Sequence, residues 1–389
     1  MDYNFDKLID RRKTGSLKFD GAVSRGKPAD ILPLWVADMD FPAPDCVLDA
    51  LQRCVSHGIF GYTEPDGSYF EALAAWFTGR FGYEFDSAWV TLTPGVVYAL
   101  CAAISAYTQS GDAVLIQEPV YYPFRESILA NERRLIVNEL HLKEDAYVVD
   151  FADFEQQIAE NSVKLFILCN PHNPVGRVWR ADELREMVRI CVKYDVLILC
   201  DEIHCDFVFP GHTHLCLPAL LPEDQAKMIL LTAPSKTFNL AGLQISNVFI
   251  SDPTLRRAFR REVSKNGYSQ ANRLGIAACQ AAYSGGADWL EALLSYLKDN
   301  MILIDRFLKE HLPAVRLIPP QGTYLAWLDC QKLGLSSDEL DHKLVHEAGL
   351  WLSRGDTFGP SGAGFTRINA ACPRPVLETC MKRFVSALG

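Results

Sequence analysis

Apolar positions along the middle of the chain follow two alternating rhythms. The runs AVLIQEP (113–119), RLIVNEL (134–140), KLFILCNP (164–171), VLILCDE (196–202), MILLTAPSK (228–236) and SNVFIS (246–251) are short and β-rich, and predict strands. Several are continuous rather than alternating, as expected of strands covered by helices on both faces. Between Asp182 and Tyr194, Leu184, Met187, Val188 and Cys191 recur at i, i+3, i+4 and i+7, which predicts an amphipathic helix. Alternation of this kind predicts an α/β fold, a large domain with a mainly parallel sheet flanked by helices.

From Asp288 the rhythm changes. Leu290, Leu293, Leu294, Leu297, Met301, Ile304 and Leu308 form one helical stripe that Pro313 must stop. Beyond it, TYLAWLDC and GFTRINAA alternate with helical patterns and predict a smaller α+β domain. The first residues, to about 45, are rich in turn formers and are expected to wrap around another part of the molecule. The expected division is an N-terminal segment (1–48) joining the small domain, a large domain (49–287) and a small C-terminal domain (288–389). There is no internal repeat or low-complexity linker, so one compact unit is expected.

The chain has 389 residues, long enough to bury a core without disulfide or metal staples. Its formal charge of −10 argues against nucleic acid or an anionic membrane as the partner, while leaving room for a locally basic pocket. The twelve cysteines are scattered, several sit in apolar runs and none forms a C-x-x-C, so buried thiols in a reducing compartment are expected. Residues 87–110 carry no charge and could span a bilayer by length alone. Thr91, Thr93, Pro94 and Gly95 interrupt them, and Asp86 and Asp112 flank them, so a short strand, a turn and a buried helix are expected instead. With no apolar stretch at the N-terminus, the expectation is a cytoplasmic protein.

Ligands of open α/β sheets sit beyond the carboxyl ends of the strands. Three of the predicted strands end on polar residues: Asn170-Pro-His-Asn173, Asp201-Glu202-Ile-His204, and Ser235-Lys236. One Asp or Lys after a strand is ordinarily a cap or a solvated loop residue. An amide, a carboxylate and an amine at three strand ends in succession point to a site.

The motifs NPHNPVG, DEIH, SKTFNLAG and TRINAACPR resemble those of fold-type I pyridoxal-phosphate enzymes of the class I/II aminotransferase superfamily. LPLWVADMDFPAP (32–44), GYTEPDGSY (61–69), PVYYPF (119–124) and DEIHCDF (201–207) are most similar to the MalY/PatB-type cystathionine β-lyase branch. The resemblance runs from about residue 30 to 375, with the motifs in the family's order. It implies pyridoxal 5'-phosphate as cofactor, an amino-acid substrate, and a homodimer with active sites at the subunit interface.

The resemblance also implies roles for individual residues. Lys236 would hold the cofactor, since only a primary amine condenses with its aldehyde, and once freed would take the substrate Cα proton. Asp201 would pair with the pyridine nitrogen and keep it protonated. Tyr121 would stack on the ring as the third catalytic residue, and Asn173 would hydrogen-bond the 3′ oxygen. Gly95, Val96 and Val97, opening a helix, would offer backbone N–H groups to the phosphate, joined by Ser235 and by Tyr62 of a neighbouring subunit. Arg367 would hold the substrate carboxylate with its bidentate fork, Arg374 being the rival arginine. Trp35 and Tyr62 would line the substrate side.

The chain departs from the superfamily pattern at three places. Ala233 stands where many aminotransferases have Ser or Thr, Gln244 where they have Arg, and His204 where they have Tyr. Thr232 or backbone groups are the expected substitutes on the phosphate. His212-x-His214 and His342-x₃-His346 have metal-like spacings, but no carboxylate or Cys completes either, and no metal is expected. The glycines at 359–364 do not form a dinucleotide fingerprint. The expected activity is therefore a carbon–sulfur β-lyase on cysteine thioethers. An aminotransferase is the alternative, since Lys236, Asp201 and Asn173 serve both reactions, and a regulatory protein retaining the fold is the third reading.

Overall fold

The computed structural model describes residues 3–389 of the chain. In chain order its strands are β1 (Leu32–Pro33), β2 (Val90–Thr93), β3 (Ala113–Glu118), β4 (Arg134–Lys143), β5 (Ala146–Val149), β6 (Leu165–Cys169) and β7 (Leu197–Asp201). They continue with β8 (Met228–Thr232), β9 (Ser246–Phe249), β10 (Arg316–Leu317), β11 (Leu325–Asp329), β12 (Leu350–Trp351), β13 (Ser353–Arg354) and β14 (Phe365–Asn369). Eight of these form one sheet in the order β2-β9-β8-β7-β6-β3-β4-β5.

The continuous apolar runs have a simple physical cause. Along β6, Leu165, Ile167 and Cys169 enter one core, while Phe166 and Leu168 enter the other. β7 and β8 divide in the same way: Leu197, Leu199, Ile229 and Leu231 face one side, and Ile198, Cys200, Met228 and Leu230 the other. Both faces are buried, so neither can carry polar residues. The central pairs β4–β3, β3–β6, β6–β7 and β7–β8 are parallel, whereas β9 runs antiparallel to both β8 and β2.

Differences from the sequence expectation lie at the edges. MILLTAPSK is a strand only to Thr232, because Pro234 opens the helical turn Pro234–Thr237. RLIVNEL extends to Lys143 and turns, with Glu144 at φ 54°, into the unforeseen edge strand β5. Residues 87–110 resolve into a short turn, β2 and the helix Val96–Tyr107, as expected. Among the described residues no helix is long and apolar enough to cross a membrane. All twelve cysteines are free, and ten of them are buried.

The amphipathic helix spans Ala181–Lys193, and the long helix spans Ala287–His311. A second, antiparallel sheet, β10-β11-β14-β13, follows the long helix. The N-terminal segment is stitched to this C-terminal part. β1 pairs in parallel with β12, Leu34 N–H donates to the Trp351 carbonyl at 2.9 Å, and Asn369 N–H donates to the Leu34 carbonyl at 2.9 Å. Two of its cations are matched within it: Lys18 is buried on Asp40 at 2.8 Å, and Arg11 bridges Asp38 and Asp40 at 2.5 and 2.7 Å.

The buried Asn369 is the strongest stitch. Its amide donates to the Val36 and Asp38 carbonyls, both at 2.6 Å, and its oxygen accepts the Ala371 N–H at 2.9 Å. Asn369→Ala removes three bonds and leaves two half-buried carbonyls without their donor, which costs about 3 kcal/mol. We expect thermal unfolding to shift down by roughly 5 °C. An unchanged transition would mean that those carbonyls find other donors.

Candidate active site

Because β6, β7 and β8 are parallel neighbours, their carboxyl ends lie side by side. Asp201, the last residue of β7, is in register with Cys169 on β6 and Leu231 on β8. The loop after β6 carries Asn173, and the turn after β8 carries Ser235 and Lys236. All four residues line one cavity of about 780 Å³. Gly95, Val96, Val97, Tyr121, His204, Arg367 and Trp35 line it too, as does Gln244. The sequence-predicted residues therefore converge, with one exception. Tyr62 is 94% exposed and lines a neighbouring cavity, of about 690 Å³, that shares Pro94 and Gln244 with the first.

Three charged groups in the cavity, Asp201, Lys236 and Arg367, are displaced from their ordinary behaviour. Asp201 is buried and accepts a hydrogen bond from Ile203 N–H at 3.1 Å. Loss of water pushes its carboxyl up to about 7, against the opposing pull of that N–H and of Lys236. Lys236 is open to the cavity but enclosed by protein. Desolvation, reinforced by Arg367, brings its amine down to about 8, while Asp38 and Asp201 act in the opposite direction. Its Nζ donates to the Ala37 carbonyl at 2.8 Å, the oxygen that also accepts from Tyr324 at 2.9 Å.

Arg367 sits on β14, buried, with only neutral acceptors: Asn173 Oδ1 at 2.9 Å, the Trp35 carbonyl at 2.8 Å and Ser353 Oγ at 3.1 Å. Its guanidinium lies 4.7 Å from the Phe358 ring centroid. Its Nε has no partner, and desolvation lowers its pKa to about 10. A buried cation without a counter-ion is costly and favours an anionic ligand. Arg374, the rival, packs over Tyr296 at 4.7 Å and faces Asp299 at 3.6 Å, and it does not line the cavity.

His204 is buried with Nδ1 unpartnered, its ring against Tyr324 at 5.8 Å. Burial first, then the Lys236 and Arg367 charges, holds its pKa well below the usual imidazole value, so it stays neutral. Tyr121 has its hydroxyl pKa raised by burial and flanks the cavity beside Tyr122. Trp35 stacks on Trp351 at 4.3 Å, and its indole N–H is buried without a partner. The helix Val96–Tyr107 starts at Gly95 with no side-chain cap, leaving its first N–H groups free to meet an anion.

Thr232 does not substitute on this wall. It is buried, its hydroxyl has no partner, and it lies outside the cavity lining, as does Ala233. Only Gln244 of the departing phosphate positions reaches the cavity. Of the His212/His214 pair, His214 has a carboxylate neighbour that completes no metal site. Its Nε2 lies 2.8 Å from buried Glu202, which chain folding brings across from the end of β7. This is a pair and no more: among the described residues no cluster of three His, Cys, Asp or Glu could hold a metal.

Sequence reasoning missed Asp206. Its Oδ2 accepts from Thr237 Oγ1 at 2.7 Å and its Oδ1 faces Arg80 Nε at 3.1 Å, so it braces the turn that carries Lys236. A buried acid four residues beyond the Glu of DEIH, with a hydroxyl directly after the lysine, was the available signal.

The residues present fit pyridoxal phosphate. A buried carboxylate with a single protein donor suits a ring N–H, a lowered amine suits an aldehyde, and a bare helix N-terminus suits a phosphate. Fold and site together define a pyridoxal-phosphate enzyme of fold type I. The family model for aminotransferase class I and II matches residues 29–384. The chain is 40% identical over 385 residues to cystathionine beta-lyase PatB of Bacillus subtilis, covering 99% of this chain and 100% of that one. It superposes on a PLP-bound putative aminotransferase from Clostridium difficile with TM-score 0.98, at 39% identity and full coverage of both chains. It superposes on the PLP-bound C-S lyase from Staphylococcus hominis with TM-score 0.93, at 33% identity, covering 100% of this chain and 98% of that one. The chain belongs to the class I and II aminotransferase family.

The raised Asp201 pKa makes a prediction for cofactor-free protein. The ionised carboxylate is disfavoured in the fold, so the penalty begins above the ordinary value of 3.8 and is complete above about 7. Asp201→Asn should therefore match the parent in stability near pH 4 and gain a few kcal/mol by pH 8. Denaturant unfolding at both pH values checks this, and a gain at pH 4 that vanishes at pH 8 would contradict it.

Proposed function

We propose that the protein is a pyridoxal-phosphate-dependent carbon–sulfur β-lyase, which converts a cysteine thioether and water into a thiol, pyruvate and ammonium. The observation that carries the reading is the convergence of Lys236, Asp201 and Asn173 with an unpaired, buried Arg367 in one cavity. Elimination rather than amino transfer is supported by the 40% identity to a cystathionine beta-lyase over nearly the whole chain. His204 in place of a tyrosine fits the same branch.

Bound pyridoxal phosphate supplies an electron sink for the charge that develops at the substrate Cα. The chain's own residues do the rest. Arg367 receives the α-carboxylate, its orientation fixed by Asn173, Ser353 and the Trp35 carbonyl. Lys236 Nζ takes the Cα proton, and a pKa near 8 leaves a useful share of the amine unprotonated at neutral pH. Asp201, pushed up to about 7 when alone, would be ionised beside a protonated ring nitrogen and would keep that nitrogen protonated. Tyr121 would cover the ring face and Trp35 the substrate side. Val96 and Val97 N–H groups, with Ser235 and Gln244, would hold the phosphate, and Tyr62 would reach it from a second subunit of a homodimer. In support of that dimer, Tyr62, Phe60 and Ile59 are exposed together beside the cavity. The division at residues 48 and 287 and a cytoplasmic setting belong to the same reading.

The test is incubation of the purified holoenzyme with L-cystathionine and no keto acid. Equimolar pyruvate, ammonium and thiol are expected. Amination of an added keto acid, with no pyruvate in its absence, would replace the reading by an aminotransferase. Lys236→Ala should lose at least about 10³-fold in rate. Arg367→Lys should raise KM about tenfold with a smaller effect on kcat, because a point charge replaces a fork.

A further inference from the structure

One cation at the cavity has no task in this account. Arg25 ends the short turn Val23–Arg25 of the N-terminal segment and lines the cavity together with Lys236 and Arg367. Three other cations of that segment are neutralised: Arg11 by Asp38 and Asp40, Lys18 by Asp40, and Lys27 by Asp341 at 3.2 Å. Arg25 has only neutral partners, the Gly21 carbonyl at 3.2 Å and Ser24 Oγ at 3.4 Å. Its guanidinium carbon lies 5.9 Å from the centroid of Trp35.

Trp35 links the two arginines. Its carbonyl is bound by Arg367 at 2.8 Å, its ring is fixed by stacking on Trp351, and Arg25 lies over that ring. A substrate anchored on buried Arg367 would therefore find a second guanidinium at the exposed end of the same wall. The indole N–H of Trp35 is itself buried and unpartnered. Three of the cavity's lining residues are cationic and one, Asp201, is a carboxylate.

We infer that Arg25 is a specificity-determining residue, which receives an anionic group, a carboxylate, at the far end of the substrate's sulfur substituent. The inference rests on the lyase reading and narrows its substrate class to thioethers whose S-substituent ends in an acid, over neutral alkyl or aryl ones. Arg25 is exposed, so its contribution is several-fold rather than orders of magnitude, and salt screens it. The contact lies far from Cα and is the same before and during the reaction, so it acts on KM rather than kcat.

The experiment uses holoenzyme with two substrates of equal length, S-(3-carboxypropyl)-cysteine and S-butyl-cysteine. The wild-type enzyme should favour the acid in kcat/KM, and the preference should shrink as salt is added. Arg25→Ala should lower the acid-to-neutral ratio about fivefold, through KM, and abolish its salt dependence. Arg25→Lys should restore most of the ratio, and Arg25→Glu should invert it. An unchanged ratio in Arg25→Ala, with both substrates still cleaved, would overturn the assignment of Arg25 alone. Failure of the wild-type enzyme to cleave either thioether would overturn the lyase reading and this inference with it.

Discussion

Four successive backbone carbonyls, from Trp35 to Asp38, hold the site together. Arg367 and Ser353 bind the first, Asn369 binds the second and fourth, and Lys236 and Tyr324 bind the third. The donors come from β13 and β14, from the segment before β11, and from the turn after β8. One extended strap thus fixes the lysine of the large sheet relative to the arginine of the small one. Half-buried backbone carbonyls are costly to leave bare, so the strap and its donors specify each other.

The strap also shapes the electrostatics. Its carbonyls give Lys236 and Arg367 neutral acceptors in place of carboxylates, and both cations are pulled below their ordinary pKa by desolvation. Asp38 and Asp40, which could have neutralised them, are occupied by Arg11 and Lys18. The cavity is therefore left short of negative charge in a chain whose overall balance is −10. An anionic ligand would supply the missing charge and so relieve a cost that folding has already incurred.

Much of this was legible in the sequence because it is local. Continuous apolar runs announced the doubly covered sheet, and the polar residues ending three of them announced the site. What was not legible depends on which strands are neighbours. Glu202 meets His214 only after the chain returns across the end of β7, and Asp206 meets Thr237 only because β7 and β8 are adjacent. The edge strand β5 is half-buried and short, with too little periodicity to stand out. Thr232, by contrast, is buried at the end of β8 with its hydroxyl unpartnered and does not line the cavity, which its position in the sequence does not reveal. Arg25 lay in a turn-rich stretch with no motif, and only its position over Trp35 brings it to notice.

The central claim is that the strap presents Lys236, among all the lysines of the chain, as the amine that holds the cofactor. The direct measurement is borohydride reduction of the pyridoxal-phosphate-loaded protein, followed by peptide mass spectrometry. One pyridoxyl group per chain is expected, on Lys236 in the peptide containing Ser235-Lys236-Thr237. A single stoichiometric label on any other lysine would contradict it.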